Sequence, residues 1–137
     1  HLTENGVMVV NMNMRGSGEG NINQYLADTI ASVFGTVYTA DVKGSTNREL
    51  FASNQEDMLD TLKNNAGNLA NADLQNMMLA VADTSTQYDG GDYIMTDDKA
   101  PVELLGMQVI DQVIKEEVAY YKGIYEEQGL DGLLQSL

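Results

Sequence analysis

The chain contains no cysteine, one proline and one histidine. Without cysteine it can have no disulfide framework, thiolate metal site or thiol nucleophile. The lone His1 stands at the terminus, which removes the usual zinc constellations and every histidine-based catalytic triad. Basic residues are also scarce, 7 against 21 acidic, for a net charge of −14. That balance argues against a nucleic-acid or anionic-membrane surface. No apolar run approaches the ~20 residues of a membrane span and no signal-peptide pattern is present, so this segment is expected to make no membrane contact.

At 137 residues the chain is one domain at most, long enough to bury a core but short for a two-lobed enzyme. It begins with His1, and strand character starts at once at Val7, so its N-terminus reads as cut from something larger. The charge is uneven. Glu4, Glu19, Asp28, Asp41 and Glu49 are the only acids before Gln55, and the rest follow it. An acidic surface is most simply a solubility feature; its functional alternative is a cationic partner such as a polyamine or a basic protein.

Gly6 to Met14 is an apolar run that alternates near its end, which predicts a strand buried between layers, as in a parallel sheet covered by helices. A glycine loop, Arg15 to Asn21, leads to a helix expected over Asn23–Phe34, with Ile22, Tyr25, Leu26, Ile30, Val33 and Phe34 on one face and Gly35 as a left-handed cap. Strands are expected over Thr36–Val42 and Glu49–Ser53, joined as an antiparallel hairpin through Lys43 to Asn47. From Gln55 the pattern turns helical. Met58, Leu59 and Leu62 make one stripe, and Leu74, Met77, Met78 and Val81 a second that reads as core filler. After the polar loop Asp83 to Asp92, a long helix is expected over Val102–Lys122. Its buried side would hold Leu105, Gly106, Val109, Ile110, Val113, Ile114, Val118 and Tyr121, with Gly123 and Gly129 punctuating the tail.

Thr96-Asp97-Asp98-Lys99-Ala100-Pro101-Val102-Glu103 is a well-formed start for that helix. Thr96 or Asp98 can cap, Pro101 suits the first helical position and Glu103 complements the dipole. In such a turn the two aspartates can also converge on an ammonium group. Gly16-Ser17-Gly18, with Asp41 some distance on, has the outline of a dinucleotide site. However, Asn21 replaces the third glycine and Glu19 would sit where a pyrophosphate must go, so the loop reads as a connector. Asp89, Asp92, Asp97, Asp98 and Glu103 could bind a hard cation, but the spacing is not that of an EF-hand. Of the seven tyrosines, Tyr38 and Tyr93 are the best placed to line a pocket, while Tyr120, Tyr121 and Tyr125 read as packing residues. No catalytic, cofactor-binding or metal-binding residue emerges.

The order strand–helix–hairpin resembles the end of the Rossmann-like fold of S-adenosylmethionine-dependent methyltransferases, whose last strand is antiparallel. Within it, Leu2 to Asn11 looks like the late strand of the polyamine aminopropyltransferases, the spermidine synthases, and Phe34–Tyr38 through Leu50–Ser53 is similar to the hairpin that follows. Met95 to Glu103 resembles a motif near the C-terminus of bacterial spermidine-synthase-like proteins, some of them fused to a membrane segment. The resemblance covers the C-terminal part of the catalytic domain. It implies an α/β fold, the C-terminal portion of a Rossmann-like domain over residues 1–54 and a helical region over 55–137. It further implies a cytoplasmic parent enzyme that moves an aminopropyl group from decarboxylated S-adenosylmethionine to putrescine; Asp97 and Asp98, which match the motif, and Tyr38 and Tyr93, placed to line a pocket, are the candidate contacts to a cationic substrate. The family's nucleotide-binding and catalytic motifs lie upstream of residue 1, so the fragment is expected to be inactive, and its cut sheet edge predicts a homo-oligomer. The alternative is a non-catalytic interaction or regulatory module on the same scaffold.

Overall fold

A computed structural model describes residues 2–13, 19–98 and 102–136. The elements run β1 (Met8–Asn13), α1 (Ile22–Ala31), β2 (Thr36–Asp41), β3 (Asn47–Ser53), α2 (Met58–Gly67), α3 (Ala72–Thr84), β4 (Thr86–Gln87) and α4 (Val102–Ser136). The glycine pair Gly16 and Gly18, with Met14, Arg15 and Ser17, lies outside the described residues, as do Lys99, Ala100 and Pro101 of the expected helix start.

The four strands form one sheet in the order β1-β3-β2-β4. Every pairing is antiparallel, with Val10 opposite Leu50, Thr39 opposite Leu50, and Thr39 opposite Thr86. Because β1 and β2 both run against β3, they are parallel to each other with β3 inserted between them. This mixed α/β arrangement is that of the C-terminal part of a Rossmann-like fold. The parallel pairing expected around β1 is corrected: among the described residues its one partner is the antiparallel β3, its other edge is open as expected of this chain, and Val9 is 55% exposed.

Period-two alternation decides what each face buries. Met8, Val10 and Met12 of β1, Leu50 and Ala52 of β3 and Val37 of β2 meet Ala27 and Ile30 of α1 in the main core. Leu50 and Ala52 are fully enclosed, and burying a leucine of this kind stabilises the fold by about 1.5–3 kcal/mol. On the opposite face Val9 and Phe51 look toward Met58, Leu59 and Leu62 of α2, leaving an apolar cavity of ≈ 280 Å³. So β1 is apolar on both sides because helices lie on both sides of the sheet. The expected α2 stripe is in place.

Several local expectations are corrected. Gly35 does not have positive φ; α1 ends at Ser32, whose N–H donates to the Asp28 carbonyl at 2.9 Å. Of the expected face of α1, Ile30 is buried and Leu26 and Phe34 pack against the core, but Val33 is 71% exposed, and Asn23, Ala27 and Asp28 join the buried side. In α3 Met77 and Leu74 are exposed and Ala82 is the buried residue. The final helix runs on to Ser136 with a break at Gly129 (φ 68°), and of its expected buried side only Leu105 is buried. Ile110, Ile114 and Val118 are exposed, as are Tyr120 and Tyr125. Those patterns are amphipathic, but no described residue covers the apolar stripe. No helix of the described residues is long and apolar enough to cross a membrane.

Candidate functional site

Parallel β1 and β2 end at Asn13 and Asp41, the same end of the sheet at which α1 begins. In α/β proteins, ligands bind at the carboxyl ends of parallel strands, and here that end is hollow. A cavity of ≈ 240 Å³ is lined by Met12 of β1, Thr39 of β2, Arg48 of β3, Asn21, Asn23, Gln24 and Ala27 at the start of α1, and Tyr88. A second, ≈ 630 Å³, shares Thr39, Arg48 and Tyr88 and extends past Asp41 and Lys43 to Thr84.

Local sequence builds the first wall. Asn21 adopts extended backbone and its Oδ1 accepts from the N–H groups of Asn23 (2.9 Å) and Gln24 (3.1 Å), satisfying two of the orphan donors of a helix start. Gln24 Oε1 reaches back to accept from the Gly20 N–H at 2.8 Å, and Gly20 has φ +72°, a turn conformation that favours glycine. Asn23 then donates its side-chain amide to the Asn13 carbonyl at 2.6 Å. The helix start is thereby fastened to the end of β1.

Arg48 forms the floor. It is opposite Asp41 in the β2–β3 register and donates Nε to Oδ1 at 2.5 Å and Nη2 to Oδ2 at 3.1 Å. This two-point geometry holds the guanidinium plane in place. The bond from Arg48 lowers the Asp41 pKa and raises that of Arg48.

The third wall comes from far along the chain. The Tyr88 N–H donates to the Val37 carbonyl at 2.9 Å, extending the β4 pairing. Its phenol donates to Oδ1 of Asp28, a carboxylate only 1% exposed, at 2.5 Å. Burial, then the bond to Asp28, pushes the Tyr88 phenol up to about 12. Oδ2 of Asp28 accepts the Tyr93 N–H at 3.0 Å, and the Met95 N–H donates to Thr29 Oγ1 at 2.8 Å. The Tyr93 ring stands edge-on to Tyr25 with centroids 5.1 Å apart. A hydrogen bond to Glu19 raises its phenol pKa.

The four candidate contacts do not converge. Tyr93 lies over α1 beside the cleft, but Tyr38 sits in mid-β2 on the other face of the sheet, between Phe51 and Gln87. Asp97 and Asp98 are exposed in a turn and line neither cavity. Among the described residues no three carboxylate or histidine side chains group closely enough to hold a metal ion. Thr39, Arg48, Asp28 and Tyr88 were not singled out from sequence. One signal was available, the pair Gly90-Gly91 next to Tyr88, since adjacent glycines in a loop mark close backbone approach.

Chemically the cleft offers amides, hydroxyls and a neutralised arginine beside an apolar wall, a lining suited to an elongated polar-ended molecule. No family profile and no solved structure matches the chain. Over all of its length it is 45% identical to a "Probable polyamine aminopropyl transferase" of Bifidobacterium longum. It spans about a third (34%) of that relative, the C-terminal part.

Proposed function

We propose, from the premise that this chain is related along its whole length to the C-terminal third of a polyamine aminopropyl transferase, that it closes the active domain of an enzyme of that kind. In that enzyme the amine of putrescine attacks the aminopropyl carbon of decarboxylated S-adenosylmethionine, releasing methylthioadenosine. The residues of this chain contribute β1 to β4 of the sheet and the cleft at the carboxyl ends of β1 and β2. The observation that carries the proposal is the 45% identity over the full chain, whose fold places a cavity at the strand ends where such domains bind substrates.

On this proposal the chain by itself transfers nothing. The parent belongs in the cytoplasm, with decarboxylated S-adenosylmethionine as co-substrate and a polyamine as product. Spermidine formation by the full-length protein, assayed with putrescine and decarboxylated S-adenosylmethionine, tests it, and a full-length protein without that activity would overturn it. Tight calorimetric binding of methylthioadenosine to the 137-residue chain alone would overturn its proposed inactivity. Asp97→Asn and Asp98→Asn in the full-length protein test the substrate contacts, which require a raised KM for putrescine. Tyr38→Phe and Tyr93→Phe test the remaining two.

A second function has its own support. The outer edge of β1 is unpaired among the described residues, with Val9 exposed beside it, and α4 displays Ile110, Ile114 and Val118 to solvent. Such surfaces recruit partners, which favours an interaction role and a homo-oligomer of this chain. Light scattering decides: a monodisperse monomer at high concentration would refute the oligomer.

A further inference from the structure

We infer that Asp28 is a positioning residue that fixes Tyr88 as the partition between the two carboxyl-end cavities, a role whose functional value rests on the cleft being the binding site. Among the described residues Asp28 is the one buried carboxylate, 1% exposed, on the α1 face where an alanine or leucine would be cheaper to bury. Its oxygens face two neutral donors, the Tyr88 phenol and the Tyr93 N–H, both brought by the segment that follows β4.

That segment is moulded to the carboxylate. A Cβ on Gly91 would lie 2.7 Å from Asp28 Oδ2, so glycine there lets the backbone run directly over the acid. Gly90 has φ +80°, and a Cβ on it would touch Ala31 at 3.0 Å. Farther on, Tyr93 stacks on Tyr25 and Met95 is tied to Thr29. The result is a strap over one face of α1, from Tyr88 to Met95, with Asp28 bonded at two of its positions.

Tyr88 is the strap residue that lines both cavities. One side of Tyr88 packs against the core, and the bond from its phenol to Asp28 selects one of the orientations its side chain could take there. An amine chain extending from the smaller cavity toward Asp41 must pass this ring. Asp28 therefore acts on the cleft without touching what lies in it.

The test compares the wild-type 137-residue chain with Asp28→Asn, which keeps the volume but can accept through one oxygen only. The expected result is at least tenfold faster amide exchange at Tyr93 and Met95, with Leu50 and Ala52 still protected. The Tyr88 phenol, which burial and the bond to Asp28 push up, is expected to titrate measurably lower in the variant than in wild type. A strap that stays protected, or a Tyr88 titration that does not move, overturns the inference. Should Asp28→Asn leave Leu50 unprotected, Tyr88→Phe is read instead, with faster exchange at Tyr93 expected and an unchanged rate counting as refutation. Putrescine titrated into the full-length wild-type protein and its Asp28→Asn variant separates the two ideas. If wild type fails to bind it, the cleft assignment falls while exchange and titration still decide the role of Asp28. If wild type binds and Asp28→Asn binds equally well, Asp28 does not position the site.

Discussion

Tyr88 and Asp28 are 60 residues apart in sequence and joined by a 2.5 Å hydrogen bond. The bond links the helical half of the chain to the strand–helix–hairpin half at the mouth of the cleft. The acid occupies a position that, from sequence, belongs to no particular face of its helix. Its burial makes sense only with the donors that meet it.

Gly91→Ala is expected to destabilise the fold by about 1–3 kcal/mol, the usual cost of overpacking a closed site, because the new methyl group meets the Asp28 carboxylate. Gly35→Ala should be near neutral, since nothing lies within 4 Å of its Cβ position. Urea denaturation of the two variants in parallel checks the contrast.

Stability should fall in alkali through Tyr88. Burial and the bond to Asp28 push its phenol up to about 12 from the ordinary 10.0, so its contribution is complete below the unfolded value and is lost as pH rises from there through the folded one. Melting temperatures of wild type and Tyr88→Phe should converge over that window. A constant gap between them would contradict the assignment.

Acid has the opposite sign at Asp41. Its folded pKa is lowered from 3.8 by the bond from Arg48, so the contribution is present above the unfolded value and is lost as pH falls through the lowered one. The pair is largely exposed, so the effect is on the order of a few tenths of a kcal/mol. Asp41→Asn should flatten that part of the acid limb in a pH series of thermal melts.

Asn21→Ala removes the acceptor at the start of α1 and should cost about 1 kcal/mol. Because the same turn forms a wall of the smaller cavity, amide exchange at Asn23 and Gln24 should quicken by at least threefold while that of Leu50 holds.

Placing a lysine on the open strand edge should reduce self-association. Val9→Lys adds charge beside the unpaired side of β1. Light scattering should then show a smaller mean mass, with the melting temperature within a few degrees of wild type.

The strand–helix–hairpin order was legible because its signals are local. Alternating Thr36 to Asp41 and Asn47 to Ser53 flank a turn whose Gly44 has φ +76°, and the α2 stripe holds its residues at helical spacing. Thr86-Gln87 was not legible as β4, being two polar exposed residues whose strand character comes only from pairing with β2. The α4 stripe was legible as amphipathic but not as uncovered, since periodicity shows that a face is apolar and not what it meets. The site was the least legible part. Thr39, Arg48 and Tyr88 are ordinary residues made adjacent by topology, and the more conspicuous Asp97 and Asp98 stand outside the cavities. The kinship of the chain, by contrast, was readable in Met95 to Glu103 and in the late strand, and the 45% identity agrees with it.

The insertion of β3 between β1 and β2 also orders events in time. β1 is made before β2 and β3, yet its partner in the described sheet is the last of the three to appear. Until the β2–β3 hairpin exists, β1 has no partner within the described sheet, and closing the connection across α1 to that hairpin costs chain entropy that only then is repaid. The hairpin, a microsecond structure by its nature, is thus the template, and β1, made before both of its strands, is the last of the three to be seated against them.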